Sequence, residues 1–318
     1  MIKVAVLGVG YLGRHHARLY STMKGARLAA VVDTDERKAR EASEAYRVPF
    51  FRNAADLPLS EINAVSIATP NETHFHLARM FLARGKHVLL EKPMTQTLEE
   101  ADTLKGIAAA NNLVLQVGHL ERFNPAVEAI GELVNHPGFI ETHRLSPFLL
   151  RGIQVDVIME VMIHDIDIVL DFVKSKVVEV RAVGIEVLTQ QVDIANARIE
   201  FANGCIANLT ASRVSAEKVR KLRIFQPNMY ISLDYNEQHV DYYRLKGKRG
   251  SPDTSIEKGT LRVDKQEPLR IEIESFVHCI HSGNRPLVGA GEAMDAMAVG
   301  FAILDDIEKR RETHFQTY

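Results

Sequence analysis

The sequence predicts a doubly wound α/β domain followed by an α+β domain, and three observations carry that prediction. Six short β-branched runs alternate with helical patterns over the first 120 residues, a glycine-rich turn follows the first run, and beyond residue 121 strands succeed one another without helices between them. The strand-like runs are 2–7, 28–33, 49–51, 64–68, 87–91 and 114–118, with helical stretches at 13–23, 35–45, 73–84 and 97–110. Gly85 stands where the third helix would stop. Regular alternation of this kind builds a parallel sheet, because each crossover needs a helix. Further on, helical patterns at 124–135, 159–173, 269–282 and 290–311 surround a β-rich block from 177 to 243. Its strands, 177–187, 192–201, 205–213, 219–226 and 229–234, imply a largely antiparallel, open sheet. The polar stretch 245–258 reads as an exposed loop. The expected domains are 1–120 and 121–318.

A chain of 318 residues suits two domains, each able to bury its own core. With 39 Lys and Arg against 41 Asp and Glu, the net charge of −2 gives neither nucleic acid nor a membrane surface a reason to bind. The partner expected is a small molecule. MIKVAVLG enters a strand directly, without the pattern of a signal peptide, and no apolar run approaches the ~18 residues of a membrane span, so a cytoplasmic location is expected. Cys205 and Cys279 lie in unrelated segments and read as buried thiols rather than a disulfide, zinc knuckle or redox pair.

Gly8-Val9-Gly10-Tyr11-Leu12-Gly13 is a GxGxxG that follows a strand and opens a helix. Gly8 serves the turn, Gly10 lets a pyrophosphate approach the backbone, and Gly13 lets helix and strand pack closely. The amides of Tyr11 and Leu12 are candidate phosphate donors at the positive end of the helix. Asp33 ends the second strand 20 positions after Gly13, where it can accept hydrogen bonds from the adenosine ribose. Together these mark a Rossmann domain. Thr34 and Asp35 follow, not an arginine, so a 2′-phosphate would meet like charge, and the cofactor expected is NAD rather than NADP. His15 and His16 point about 100° apart on a helix and lack a Cys or carboxylate to complete a metal set, so they read as packing and polarity.

Thr69-Pro70-Asn71 and Glu91-Lys92-Pro93 each terminate a predicted parallel strand, where ligands of such sheets sit. Lys92, held between a buried strand and a proline, reads as facing that crevice rather than as a solvated charge. In Met159–Val173, at about 100° per residue, Glu160, His164, Asp167 and Asp171 fall in a stripe about 60° wide, and apolar residues fill nearly all the rest. Such a helix is buried, and its polar edge faces either a cleft or an internal ion-pair network.

GVGYLG, Asp33, ATPNETH, EKP and EVMIHDID occur in that order, and together they resemble the Gfo/Idh/MocA family of NAD(P)-dependent dehydrogenases over essentially the whole chain. The resemblance extends cofactor contacts to Thr69, Pro70, Asn71, His74, Glu91 and Lys92, and implies a catalytic group of Lys92, His164 and Glu160. Members usually carry Asp where Glu160 stands. This group suits oxidation of a secondary alcohol: a base takes the hydroxyl proton while a cation favours the developing negative oxygen. Either Lys92 or His164 could take the proton directly.

The segments Gly118–Pro125 and His164–Val169 look most like the subgroup that oxidises UDP-N-acetylglucosamine at carbon 3, whose keto product passes to an aminotransferase. Arg122, Asn124, Arg144 and Arg151, with Lys92 and His164, are the substrate residues that this likeness implies; the arginines would hold the diphosphate, or else make ordinary salt bridges. A dehydrogenase of a free polyol such as inositol, and a catalytically silent NAD-binding sensor, stay open as alternatives. The open sheet of the second domain has a face to bury, so a homodimer or homotetramer is expected.

Overall fold

The computed structural model describes residues 1–149 and 154–315. In chain order the elements are β1 (Ile2–Leu7), α1 (Gly13–Thr22), β2 (Ala26–Val32), α2 (Glu36–Tyr46), β3 (Phe50–Phe51), β4 (Ala64–Ile67), α3 (His74–Leu82), β5 (His87–Glu91), α4 (Leu98–Ala110) and β6 (Leu115–Gly118). Then follow α5 (Pro125–Ile130), β7 (Phe139–Leu145), α6 (Ile163–Val173), β8 (Val177–Ile185), β9 (Ile194–Phe201), β10 (Ile206–Ser212), β11 (Val219–Gln226), β12 (Met229–Asp234), β13 (His239–Lys246), β14 (Ser255–Thr260), α7 (Pro268–Ser282) and α8 (Ala290–Phe315). No helix among the described residues is long and apolar enough to cross a membrane.

Two compact units result. The first comprises Met1–Leu120 and Glu267–Met294, the second Glu121–Gln266 and Asp295–Tyr318. The segment Glu267–Met294, which the sequence reading gave to the C-terminal domain, thus clusters with the first unit. The cause is apolar: Ile273, Phe276 and Val277 of α7 pack with Val4, Val6, Leu19 and Tyr20 in one buried cluster.

The first unit holds a six-stranded sheet in the order β3-β2-β1-β4-β5-β6, with every pairing parallel. Strands β1, β4 and β5 are buried almost throughout, as strands covered on both faces must be. The order reverses between β1 and β4, the switch point at which such sheets bind ligands.

The second unit holds an eight-stranded sheet, β14-β13-β12-β11-β7-β10-β9-β8, antiparallel except where β7 runs parallel to β10. Its inner face buries Ile140, Leu209, Leu222, Ile224, Ile231 and Leu233. Three features depart from the sequence reading. Strand β7 was not anticipated, because its inward positions are Ile140, Thr142 and Arg144, and two polar residues out of three break the alternation that reveals a strand. The stretch 245–258 is only partly loop: β13 runs to Lys246 and β14 starts at Ser255, an exposed edge strand that needs no apolar face. The helix expected at 159–173 begins as a π-helical turn, Ile158–Met162, before α6. Wider turns of this kind shift the angular phase, so the stripe drawn at 100° per residue does not hold for Glu160.

Candidate functional site

In the first unit, β1 leads into Gly8, whose φ of +78° only glycine adopts without strain. Gly13 is fixed by close approach: a Cβ there would lie 1.6 Å from the Gly8 carbonyl oxygen. A Cβ on Gly10 would meet nothing within 4 Å, so a clear space stands over the loop. Asp33, half-buried beyond β2, organises the rim. One carboxylate oxygen accepts from the Val9 amide and the other from the Asp35 amide, both at 2.9 Å. Tyr11 and Leu12 are exposed at the start of α1. Beyond β4, the Thr73 hydroxyl donates to Thr69 Oγ1 at 2.7 Å, Pro70 is exposed, and Asn71 Oδ1 is buried without a hydrogen-bond partner. The open space over Gly10 and the unsatisfied Asn71 acceptor both fit a nicotinamide dinucleotide, whose pyrophosphate needs bare backbone and whose polar groups supply donors.

Lys92 emerges half-buried from the end of β5, in a cis peptide with Pro93. Two residues expected to contact the cofactor have side chains that are buried and partnered within the unit. His74 is buried with Nδ1 2.8 Å from the Pro93 carbonyl and Nε2 2.9 Å from the Thr69 carbonyl, tying together the two turns that end β4 and β5. Burial holds its imidazole below the ordinary histidine pKa, although both carbonyls favour the charged ring. Glu91 points into the unit, where it accepts from His16 at 3.1 Å. Both placements share a physical reason, since a buried polar side chain takes the partners that its own fold offers.

In the second unit the polar edge of the helix is an ion-pair network as well as a candidate site. Arg122 lies 3.4 Å from Asp167 and 2.9 Å from Asp171. Arg144, on β7, grips Asp165 with two nitrogens at 2.9 and 2.8 Å, reaches Glu121 at 2.8 Å, and lies over the Tyr235 ring. Burial favours neutral Glu121, but Arg144, Arg220 and Asn124 outweigh it and hold the carboxyl below the usual range. Asn124 caps α5 by accepting from the Ala126 amide, and donates to Glu121 and to the Tyr235 carbonyl. Arg122, Arg144 and Asn124, which the sequence reading aimed at substrate, thus all have protein partners within the second unit. Arg151 lies outside the described residues. Glu160, in the π turn, and His164, in the first turn of α6, are both half-buried.

Sequence reasoning overlooked Asp165 and Glu121, the partners of Arg144. Asp165 carried a signal, being a lone acid off the polar stripe of an otherwise apolar helix, and such a group needs a cation. Both cysteines are buried free thiols, and burial pushes that of Cys205 up to about 11.

Comparison with known proteins adds the following. Residues 2–119 match the model of the GFO/IDH/MocA oxidoreductase family, NAD-binding Rossmann fold, and residues 130–231 match the GFO/IDH/MocA C-terminal domain. The chain is 40% identical over 296 residues to the UDP-N-acetylglucosamine 3-dehydrogenase of Acidithiobacillus ferrooxidans, covering 92% of each. A solved structure of that dehydrogenase superposes with a TM-score of 0.90, covering 97% of this chain and 98% of that one. The scyllo-inositol 2-dehydrogenase (NAD(+)) of Bacillus subtilis is 26% identical over 324 residues, covering 95% of this chain and 92% of its own.

Proposed function

The chain belongs to the Gfo/Idh/MocA family of NAD-binding oxidoreductases, and from that premise we propose that it oxidises the 3-hydroxyl of UDP-N-acetylglucosamine to the 3-keto sugar. The observation that carries the substrate is the 40% identity, over 92% of both chains, with a dehydrogenase of that sugar nucleotide. The cradle at Gly8–Gly13, Asp33 and the Asn71 turn would hold NAD, which when bound supplies the hydride acceptor.

The chain's own residues handle the proton and the charge. His164 takes the hydroxyl proton as hydride leaves the same carbon. Lys92 donates a hydrogen bond to the reacting oxygen and favours its growing negative charge. Glu160 orients His164 and stabilises the imidazolium. The keto product is a substrate for an aminotransferase, the proposed downstream partner, in a cytoplasmic setting.

A second reading, oxidation of a free polyol, is favoured by one observation: Arg122 and Arg144 are already paired with carboxylates, and a neutral sugar needs no diphosphate clamp. The test couples the protein to a sugar-nucleotide aminotransferase with glutamate and NAD, and follows the mass of the UDP-sugar, with inositol and glucose in parallel. Conversion of the UDP-sugar to its amino derivative supports the first reading; NADH formed only with inositol or glucose supports the second.

We also propose a homodimer or homotetramer. Supporting it, a row of aromatic rings, Phe139, Phe225, Tyr230 and Tyr243, crosses four strands with centroids 5.6, 5.0 and 5.9 Å apart, and Phe225 and Tyr243 are each 40% exposed. A monomer in light scattering at micromolar concentration would contradict it.

A further inference from the structure

The turn that carries Glu160 is held from outside. Ile158–Met162 is π-helical, a wider and rarer form than the α-helix. At its start the Asp156 carboxylate accepts from the Met159 amide at 2.8 Å, and the Asp156 carbonyl accepts from the Glu160 amide at 3.0 Å. What fixes Asp156 comes from elsewhere in the second unit. The buried guanidinium of Arg213, just past β10, donates from one nitrogen to the carbonyls of Val155 at 2.5 Å and Val192 at 3.1 Å. The Val192 carbonyl also accepts from the Val157 amide at 2.9 Å. The residues on either side of Asp156 are thus pinned, one to the arginine and the other to a carbonyl that the arginine also holds.

Arg213 is fixed in its turn. Asp193, wholly buried, lies 3.2 Å from Arg213 Nε, and its carboxylate accepts from the amides of Val187, Leu188 and Thr189 and from the Thr189 hydroxyl. Bonded on so many sides, the carboxylate cannot swing away from the guanidinium. A second element makes way for the turn. Gly300 lies in the interior of α8, where glycine weakens a helix relative to alanine. A Cβ there would lie 2.7 Å from Sδ of Met159, which is itself buried within the turn. Helix α8 thus gives up stability at the place where the turn approaches it.

In a regular helix Glu160 and His164 would be an i, i+4 pair on one face, and a wider turn changes the angle between them. We propose that Arg213 and Gly300 are positioning residues: they hold Ile158–Met162 in its π form, and that form sets where the Glu160 carboxylate stands as His164 takes its proton. The roles of Glu160 and His164 rest on the dehydrogenase reading above.

The experiment compares the full chain with Arg213→Lys, which keeps a cation for Asp193 but cannot also reach both carbonyls. Backbone hydrogen exchange, read by peptide mass spectrometry, needs no turnover: exchange at 155–162 quickens at least about tenfold, while peptides of the first unit keep the wild-type rate. In the coupled UDP-N-acetylglucosamine assay kcat falls about tenfold with KM for NAD unchanged, and the double variant with Glu160→Gln is no slower than Glu160→Gln alone, because the arginine acts through that carboxylate. A merely structural role predicts instead that the two losses multiply. Gly300→Ala, an exchange that ordinarily strengthens a helix, gives the same pattern in both readouts and carries the test if Arg213→Lys does not fold. Unchanged exchange at 155–162, or losses that multiply, overturns the proposal. Quickened exchange in a protein inactive on UDP-sugars keeps the hold on the turn and removes the substrate reading, and the same cycle is then read with inositol. Turnover of UDP-N-acetylglucosamine that Arg213→Lys leaves at the wild-type rate does the reverse.

Discussion

Each unit buries a knot of ionisable side chains, and the two are built for different ends. In the first, His16 Nε2 lies 3.1 Å from the Glu91 carboxylate, and the other buried acid, Glu272, has no hydrogen-bond partner. In the second, the guanidinium of Arg144 closes on both Asp165 and Glu121, with Arg220 3.6 Å from Glu121, so cations and anions balance inside the protein. A buried charge left partly uncompensated acts on whatever lies next to it, whereas a balanced one contributes shape and stability. The second knot should therefore act on folding, whereas the role proposed for the first unit's Lys92 is in turnover.

The largest effect expected comes from opening the balanced knot. Arg144→Ala strands two buried carboxylates and should cost about 3–5 kcal/mol in urea unfolding. Arg144→Lys should cost less, since it keeps the charge but loses the two-pronged grip on Asp165. A near-neutral Arg144→Ala would make this knot expendable and break the contrast.

The next effect is on turnover. Lys92→Ala and His164→Ala should each slow the reaction at least about a hundredfold, roughly 2.7 kcal/mol of transition-state stabilisation, while NADH titrations still show binding. Glu160→Gln should do less. Near-normal turnover in either alanine variant removes that residue from the catalytic group.

A smaller effect depends on pH and involves another paired acid of the second unit. Burial favours the neutral form of Asp193, but backbone donors from Val187, Leu188 and Thr189 outweigh it and hold the carboxyl at about 2. Because the folded pKa is depressed, this stability is fully present above the unfolded value near 4 and is lost as pH falls toward 2, on the order of 1–2 kcal/mol. Asp193→Asn should flatten acid unfolding over that interval; an unchanged acid profile would deny Asp193 the role.

Smallest is the cofactor preference. Asp33 and Asp35 should make NADPH bind at least about tenfold more weakly than NADH, since a 2′-phosphate meets two carboxylates. Tighter NADPH in a fluorescence titration would reverse the assignment.

How much of this was legible follows from distance along the chain. The cradle could be read because a positive φ at Gly8 and a 1.6 Å approach at Gly13 leave glycine alone, within a six-residue motif, and Asp33 follows at a fixed remove. Arg144 could not. Its partners lie 21 residues ahead and 23 behind, and nothing local distinguishes an arginine awaiting a phosphate from one already paired. Its strand was hidden for the same reason, since a polar residue at an inward position makes sense only with its partner present. His16 and Glu91 stand 75 positions apart, and only the packing of α1 across β4 and β5 joins them. The π turn escaped because periodicity reasoning assumes a constant angle per residue, which Ile158–Met162 does not keep.

The most direct test of the proposed reaction is the fate of one hydrogen. The protein is incubated with NAD and UDP-N-acetylglucosamine carrying deuterium at carbon 3, together with an aminotransferase and glutamate to draw off the ketone, and the recovered NADH is weighed by mass spectrometry. The account predicts NADH one mass unit heavy, with the label lost from the amino sugar. Unlabelled NADH, or none from this substrate beside ready reduction of NAD by inositol, would contradict it.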